Sequence, residues 1–349
     1  MIRWGVLGAS STVARLAVLP ALVADEGSVV AATASLSSPV PPTLGVQENF
    51  PPTDTNGGVL QVRPDALSGV RHYRCYDELL ADDSLDAIYV PLPNRMHAGW
   101  VCAGLEAGFH VLCEKPLATN AVEAAEMASC AERNHRLLME AYMTPYHPRS
   151  KAISEVVSGG ELGELLEIRS RFGANLSQPE DYRWKASMGG GALLDLGVYC
   201  IAPILGATKR LPERISAAAR FTEGADGVDA SISAWMDFGG EMVGSIHCSI
   251  ESPPGQVLEV VGTKAILSCQ DAFTPGLAQG SFRIHDKHRG SRTIKTSTAN
   301  PYSGLIAEFR RCLEQGAPPY YGIERSRELA GVVDALLADA KAGSRGEVG

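Results

Sequence analysis

Between Ile2 and Ala141, short apolar runs alternate with stretches of helical periodicity, and no other feature of the chain constrains its fold as tightly. Residues 2–7 form an apolar run that stops at Gly8, and 12–24 reads as a helix interrupted at Pro20. Residues 29–34, 86–91, 109–113 and 136–141 read as further buried strands, with helices over 97–107 and 120–133 between them. The second of these helices opens on Asn120-x-x-Glu123, which resembles a capping box with Asn as the cap. Parallel strands need crossovers, and helices of this length supply them, so the spacing predicts a doubly wound parallel sheet. The second half changes character. A helix over 191–205 gives way to strands over 215–221, 230–238, 242–250, 257–261 and 265–269, then to helices over 302–314 and 322–341, with 343–349 as a frayed tail. Strands joined by turns predict a separate α+β domain around a large, mostly antiparallel open sheet.

With 349 residues the chain can bury a core of two-domain size. A formal net charge of −9 and the lack of any basic run argue against nucleic acid and anionic membrane as partners. Eight scattered cysteines without a C-x-x-C pair read as small buried hydrophobes, giving no metal site. Met1-Ile2-Arg3-Trp4 runs straight into a strand pattern and no apolar run reaches membrane-spanning length, so a cytoplasmic protein is expected. Between residues 37 and 71, six prolines and Gly57-Gly58 replace the helix that should return the chain to the sheet. That segment reads as a surface loop, or alternatively as a lid or subunit contact.

Three clusters carry chemistry. Gly8-Ala9-Ser10-Ser11-Thr12-Val13 joins the first strand to the first helix, where a glycine turn lets backbone N–H groups meet a pyrophosphate. Serines stand where a second glycine is usual, so the match to G-x-G-x-x-G/A is incomplete. The second strand ends in Ala34-Ser35-Leu36-Ser37, with neither an acid for ribose hydroxyls nor an Arg. Lacking a repelling carboxylate, the site admits NADP, with Ser35 and Ser37 as donors; NAD or NADP remains open, with a lean to NADP. Glu114-Lys115-Pro116 follows a buried strand, where open α/β sheets place ligands, and Asp195-x-x-x-Tyr199 lies on the later helix.

Together with Pro91-Leu92-Pro93-Asn94-Arg95-Met96-His97, Cys113–Ala118, the run 140–148 and Gly189–Tyr199, these motifs resemble the glucose-fructose oxidoreductase / inositol dehydrogenase (Gfo/Idh/MocA) family over nearly the whole chain. The resemblance implies a Rossmann domain over 1–142 and a substrate-binding and oligomerising domain over 143–349, whose C-terminal helix can pack back on the first. It implies a cofactor lying along Pro91, Pro93, Asn94, His97, Glu114 and Lys115, beyond the contacts at Gly8 to Val13 and Ser35. It also implies a cis Lys115–Pro116 peptide, and a homo-dimer or homo-tetramer formed through an apolar sheet face left bare by the second domain's own helices. Tyr199, where other branches carry His, is similar to the sugar and dihydrodiol dehydrogenases and the deoxysugar ketoreductases.

The expected activity is hydride transfer between a nicotinamide and a secondary alcohol or carbonyl of a sugar, polyol or cyclic diol. Tyr199 is the expected acid/base, its pKa lowered by the Lys115 ammonium. Asp195, one turn earlier and so on the same face, orients Lys115 or binds a hydroxyl. His147, Arg183 and Trp184 are candidate substrate contacts. Each also has a plain structural reading: Asp195 as a paired buried acid, His97 as a helix cap, His147 as packing. The alternatives are a deoxysugar-nucleotide 3-ketoreductase and a cofactor-binding sensor or scaffold without turnover.

Overall fold

A computed structural model describes residues 1–36, 67–240, 242–274 and 280–343. Most of the proline-rich segment, Ser37 and the tail beyond Gly343 lie outside them. The first sheet holds six parallel strands, β1 (Ile2–Leu7), β2 (Ser28–Ala34), β3 (Arg71–Tyr73), β4 (Ala87–Val90), β5 (His110–Cys113) and β6 (Leu138–Glu140), in the order β3-β2-β1-β4-β5-β6. This is the doubly wound Rossmann arrangement, whose strand order reverses between β1 and β4 and opens a crevice at their carboxyl ends. β4 and most of β5 are buried on both faces, which is why they read as unbroken apolar runs. Asn120 caps the helix Ala121–Arg133 by accepting from the Glu123 N–H at 2.9 Å. The Glu123 carboxylate reaches one residue further back than a capping box requires, to the N–H of Thr119 at 3.1 Å.

The second sheet has eight strands, β7 (Leu165–Asn175), β8 (Arg214–Phe221), β9 (Asp229–Asp237), β10 (Val243–Ser249), β11 (Glu251–Gly262), β12 (Ala265–Gln270), β13 (Ser281–Asp286) and β14 (Gly290–Lys295). All neighbours pair antiparallel except β7 and β10. β7, β13 and β14 add to the strands expected from sequence. The stretch Ala186–Thr208 is long and apolar enough to cross a membrane, but 89% of its most apolar window is buried, so it is a core helix.

The inward face of this sheet packs on the helix Val198–Thr208, and among the described residues no helix covers the outward face. The outward face is mixed: half-buried Val243, Val257, Val261 and Ile266 lie on it beside polar pairs. Arg169 pairs with Glu259 across β7 and β11 at 3.1 Å, and Ser233 with His247 across β9 and β10 at 2.8 Å. Trp235, 38% exposed, stands on the same face.

Two helices tie the halves together. Phe309, on Pro301–Gln315, packs its ring 4.7 Å from that of Trp4 on β1. The helix Ile323–Ala342 reaches further: Ser326 donates to Glu140 Oε2 (2.6 Å), Asp334 accepts from the Ala121 N–H (2.7 Å), and Asp339 accepts from the Ala217 N–H on edge strand β8 (2.7 Å). That last bond satisfies an edge N–H that would otherwise face outward.

Candidate active site

At the carboxyl end of β1, Gly8 has φ +87°, and a Cβ there would meet Leu92 Cδ2 at 2.6 Å. Only glycine gives both this backbone and this approach. The N–H groups of Gly8 and Ala9 both donate to the Ala34 carbonyl, at 2.9 and 3.1 Å, fixing the turn to the end of β2. Ser11 Oγ accepts from the Ala14 N–H at 3.2 Å, closing the first helical turn beside exposed Thr12 and half-buried Val13. A tight glycine, a helix start and a turn without carboxylates fit a dinucleotide's pyrophosphate. Ser35 is not placed as expected. It is buried, and its hydroxyl donates to Ser10 Oγ at 2.9 Å, so it positions Ser10 from below.

At the carboxyl end of β5 lies the Lys115–Pro116 loop, whose peptide is cis. Glu140 Oε1 accepts from the Leu117 N–H at 2.9 Å and holds the loop from β6; burial raises its pKa to about 6. Glu114 is buried as well. Its Oε1 accepts from the Tyr89 hydroxyl at 2.7 Å and its Oε2 from the Lys115 N–H at 3.2 Å, while burial raises its pKa. Glu114 therefore shapes the loop instead of facing a ligand. His97 is fully buried with Nδ1 2.9 Å from the Pro116 carbonyl and Nε2 2.8 Å from the Leu92 carbonyl. It clamps two loops together, so neither the cofactor contact nor the capping role expected of it is formed. Asn94 is likewise buried, donating to the Gly189 carbonyl at 2.8 Å across the two halves, while Pro91 and Pro93 flank the same loop.

Lys115 Nζ donates to both Asp195 Oδ1 and the Asp195 backbone carbonyl, each at 2.8 Å, and lies 5.1 Å from the Tyr199 ring centroid. Asp195 sits in a π-type turn, Leu193–Gly197, in which the Val198 N–H reaches back five residues to Leu193. Such turns recur at functional sites, and here Asp195 and Tyr199 both meet Lys115, as expected of two residues on one face. Arg183 Nε lies 3.1 Å from Asp195 Oδ2, and its Nη1 3.1 Å from Asp181 Oδ2. Burial works against the Asp195 carboxylate, but Lys115 and Arg183 prevail and hold its pKa near 2. The guanidinium is thus committed to two carboxylates and orients Asp195.

Tyr199 is 6% exposed, among Tyr142, Phe172 and Phe273, and its hydroxyl donates to Met143 Sδ at 3.8 Å. Its pKa is raised well above the ordinary phenol value, by burial first and then by neighbouring Tyr302 and the carboxylates of Glu114 and Asp195. This corrects the expectation of a phenol acidified by Lys115. The ammonium faces Asp195, and Tyr199 stays protonated.

His147 caps the helix Pro148–Ser158 through Nδ1, which accepts from the Arg149 N–H at 3.1 Å. It is fully buried, and its pKa falls to about 4 by burial and then by Arg149, so it is no substrate contact here. Trp184 is half-buried and donates to the Leu176 carbonyl at 3.3 Å. Sequence reasoning assigned no role to Met143, although it lies in the run 140–148, to Phe172 or Phe273, which no motif marks, or to Asp181, two residues before Arg183.

Comparison with known proteins identifies the family. Residues 59–142 match an oxidoreductase-family NAD-binding Rossmann domain, and residues 150–268 match the GFO/IDH/MocA C-terminal domain. A D-xylose 1-dehydrogenase (NADP(+)) of Haloferax volcanii is 32% identical over 81% of this chain and 87% of its own length. A trans-1,2-dihydrobenzene-1,2-diol dehydrogenase of Oryctolagus cuniculus is 38% identical over 75% of this chain and 81% of its own. The crystal structure of a 3-ketoreductase from Actinomadura kijaniata with NADP and TDP-benzene superposes with a TM-score of 0.83, at 28% identity and 97% coverage of both chains. Fold, motif order and relatives agree: the chain belongs to the Gfo/Idh/MocA family of NAD(P)-binding oxidoreductases.

Proposed function

We propose that the enzyme transfers a hydride between NADP and a secondary alcohol or carbonyl of a neutral sugar, polyol or cyclic diol, using Lys115, Asp195 and Tyr199. One observation carries this reading: the Lys115 ammonium is fixed by Asp195 beside the Tyr199 ring at the carboxyl edge of β5. The bound nicotinamide supplies or accepts the hydride. An ammonium has three N–H donors, and two are spent on Asp195, which leaves one to polarise a substrate oxygen. Tyr199, kept neutral by burial, holds the proton that this oxygen gains on reduction. Asp195 keeps Lys115 aimed. Gly8, Ser10, Ser11, Thr12 and Val13 hold the pyrophosphate, with Pro91 and Pro93 bordering the nicotinamide.

The lysine and tyrosine replaced in two variant structures of the Actinomadura ketoreductase are separated by the same number of positions as Lys115 and Tyr199, which supports their pairing. That enzyme binds a TDP compound, so the nucleotide-sugar reading needs weighing. A diphosphate calls for uncommitted cations. Beside this site, among the described residues, Lys115 and Arg183 are paired with Asp195 and Asp181, and Lys185 with Glu180. This favours an uncharged substrate.

For the cofactor, β3 brings Arg74 next to the end of β2, where the Ser35 N–H donates to the Tyr73 carbonyl at 3.3 Å. Arg74 is exposed, and no carboxylate pairs with it among the described residues. It is the cation this end offers to a 2′-phosphate in place of the absent Arg on β2. Titration of tryptophan fluorescence should show NADPH binding more tightly than NADH, and Arg74→Ala should cost NADPH about tenfold in affinity while sparing NADH. Binding of neither nucleotide would sink the functional reading, and equal binding of both would remove the preference for NADP. A turnover screen of aldoses, polyols and cyclic diols against a TDP-deoxysugar then sets the substrate class.

The outer sheet face, with Trp235 among paired polar groups, is the surface through which we expect copies to associate, as a homo-dimer or homo-tetramer. Light scattering at micromolar concentration checks this, and a monomer mass counts against it.

A further inference from the structure

Asp229 begins β9, far from the Lys115 loop in sequence and in the other sheet. Its side chain is 3% exposed, and its Oδ2 accepts from the Leu193 N–H at 2.7 Å. Leu193 is the first residue of the π-type turn that carries Asp195. Oδ1 lies against Gly191, whose φ is +114° and whose Cβ, were there one, would sit 2.1 Å from that oxygen. Glycine at 191 is therefore demanded twice, by the backbone and by the carboxylate. A helix start buried without partners for its N–H groups is unstable, and here the partner comes from another strand instead of from the residue before the helix. Burial raises the Asp229 pKa to about 6, against the backbone N–H groups that favour the charged form. A buried carboxylate kept at such a cost needs a structural return, and the return is a fixed starting point for the turn.

We propose that Asp229 is a positioning residue for the reaction: by pinning Leu193 and excluding any side chain at 191, it sets where Asp195 meets Lys115. The chain of contacts is continuous, from Asp229 to the Leu193 N–H, through the turn to the Asp195 carbonyl and carboxylate, and on to Lys115 Nζ. A slip at its start shifts both oxygens that hold the ammonium together. The inference rests on the reading of Lys115 as the group that meets the substrate oxygen.

The test compares Asp229→Asn, Gly191→Ala and Lys115→Ala in the full-length enzyme. Asn keeps one acceptor for the Leu193 N–H but places an amide or a weaker acceptor at the other position, so kcat should fall roughly tenfold. Gly191→Ala pushes on the same carboxylate and should cost about a hundredfold. In both, NADPH affinity and the near-ultraviolet dichroism should match the wild type, because the nucleotide turn at Gly8 is untouched. Undiminished kcat in Asp229→Asn, or a loss that only tracks a lower fraction of NADPH-binding protein, overturns the proposal. Lys115→Ala separates the two levels. If it is inactive while both other variants are normal, the positioning role falls and the functional reading stands; if it stays active, the functional reading falls first.

Discussion

Lys115→Ala should lower kcat by about a thousandfold, the upper part of the range for loss of a charged group that meets developing negative charge on the substrate oxygen. Two losses combine. The substrate oxygen loses its donor, and the Asp195 carboxylate loses the partner at 2.8 Å that does most to keep it ionised in a buried site. Arg183 remains on Oδ2, so the carboxylate is not abandoned and the fold should persist. Lys115→Arg should not restore activity, since a planar guanidinium cannot make the same compact contact with both Asp195 oxygens and still present a donor. Stopped-flow or steady-state absorbance of NADPH with the best substrate of the screen measures the effect, and equilibrium titration shows whether NADPH still binds. A variant keeping a tenth or more of wild-type kcat would rule out the assigned chemistry.

Tyr199→Phe should cost about a hundredfold in kcat with little change in stability. The hydroxyl's hydrogen bond is a long one to the Met143 sulfur, a weak acceptor, so its removal leaves no strong acceptor stranded. Ring packing against Tyr142, Phe172 and Phe273 is kept by Phe. The pH profile adds an independent readout. Because the Tyr199 pKa lies well above the ordinary phenol value, the proton donor stays loaded as pH rises, and kcat for carbonyl reduction should hold through about pH 9. A wild-type alkaline limb below that, absent from Tyr199→Phe, would show instead that Lys115 acidifies the phenol when ligands are bound.

The nucleotide-binding sheet was legible because its inner strands are buried on both faces and read as plain apolar runs, as Ala87–Val90 does. β7 escaped notice for the opposite reason. Glu167, Arg169 and Arg171 project outward while Ser170, a polar residue, is buried between Ile168 and Phe172, so the alternation is blurred. β3 has three residues, too few for any periodicity.

Within the site, Lys115, Asp195 and Tyr199 were legible as residue types at motif spacing, and the structure brings all three together. The backbone's share was not. A π-type turn differs from an α-helix by a one-residue shift in hydrogen bonding, which leaves no mark on composition, and the Asp195 carbonyl that joins its carboxylate in holding Lys115 could not be read from residue types. Nor does sequence reveal burial: His97, His147 and Asn94 have side chains suited to ligands, yet each is sealed off and spent on backbone groups.

The helix Ile323–Ala342 has a consequence for how the enzyme is made. Translation reaches it after both sheets, yet Glu140 under the lysine loop, the Ala121 amide and the edge of β8 all find partners on it. A nascent chain halted before Ile323 holds a buried carboxylate missing one hydrogen-bond donor and a bare strand edge open to pairing with another chain. Completion of the reactive cleft is therefore deferred until this segment leaves the ribosome, and premature termination upstream should yield aggregate instead of a half-active enzyme.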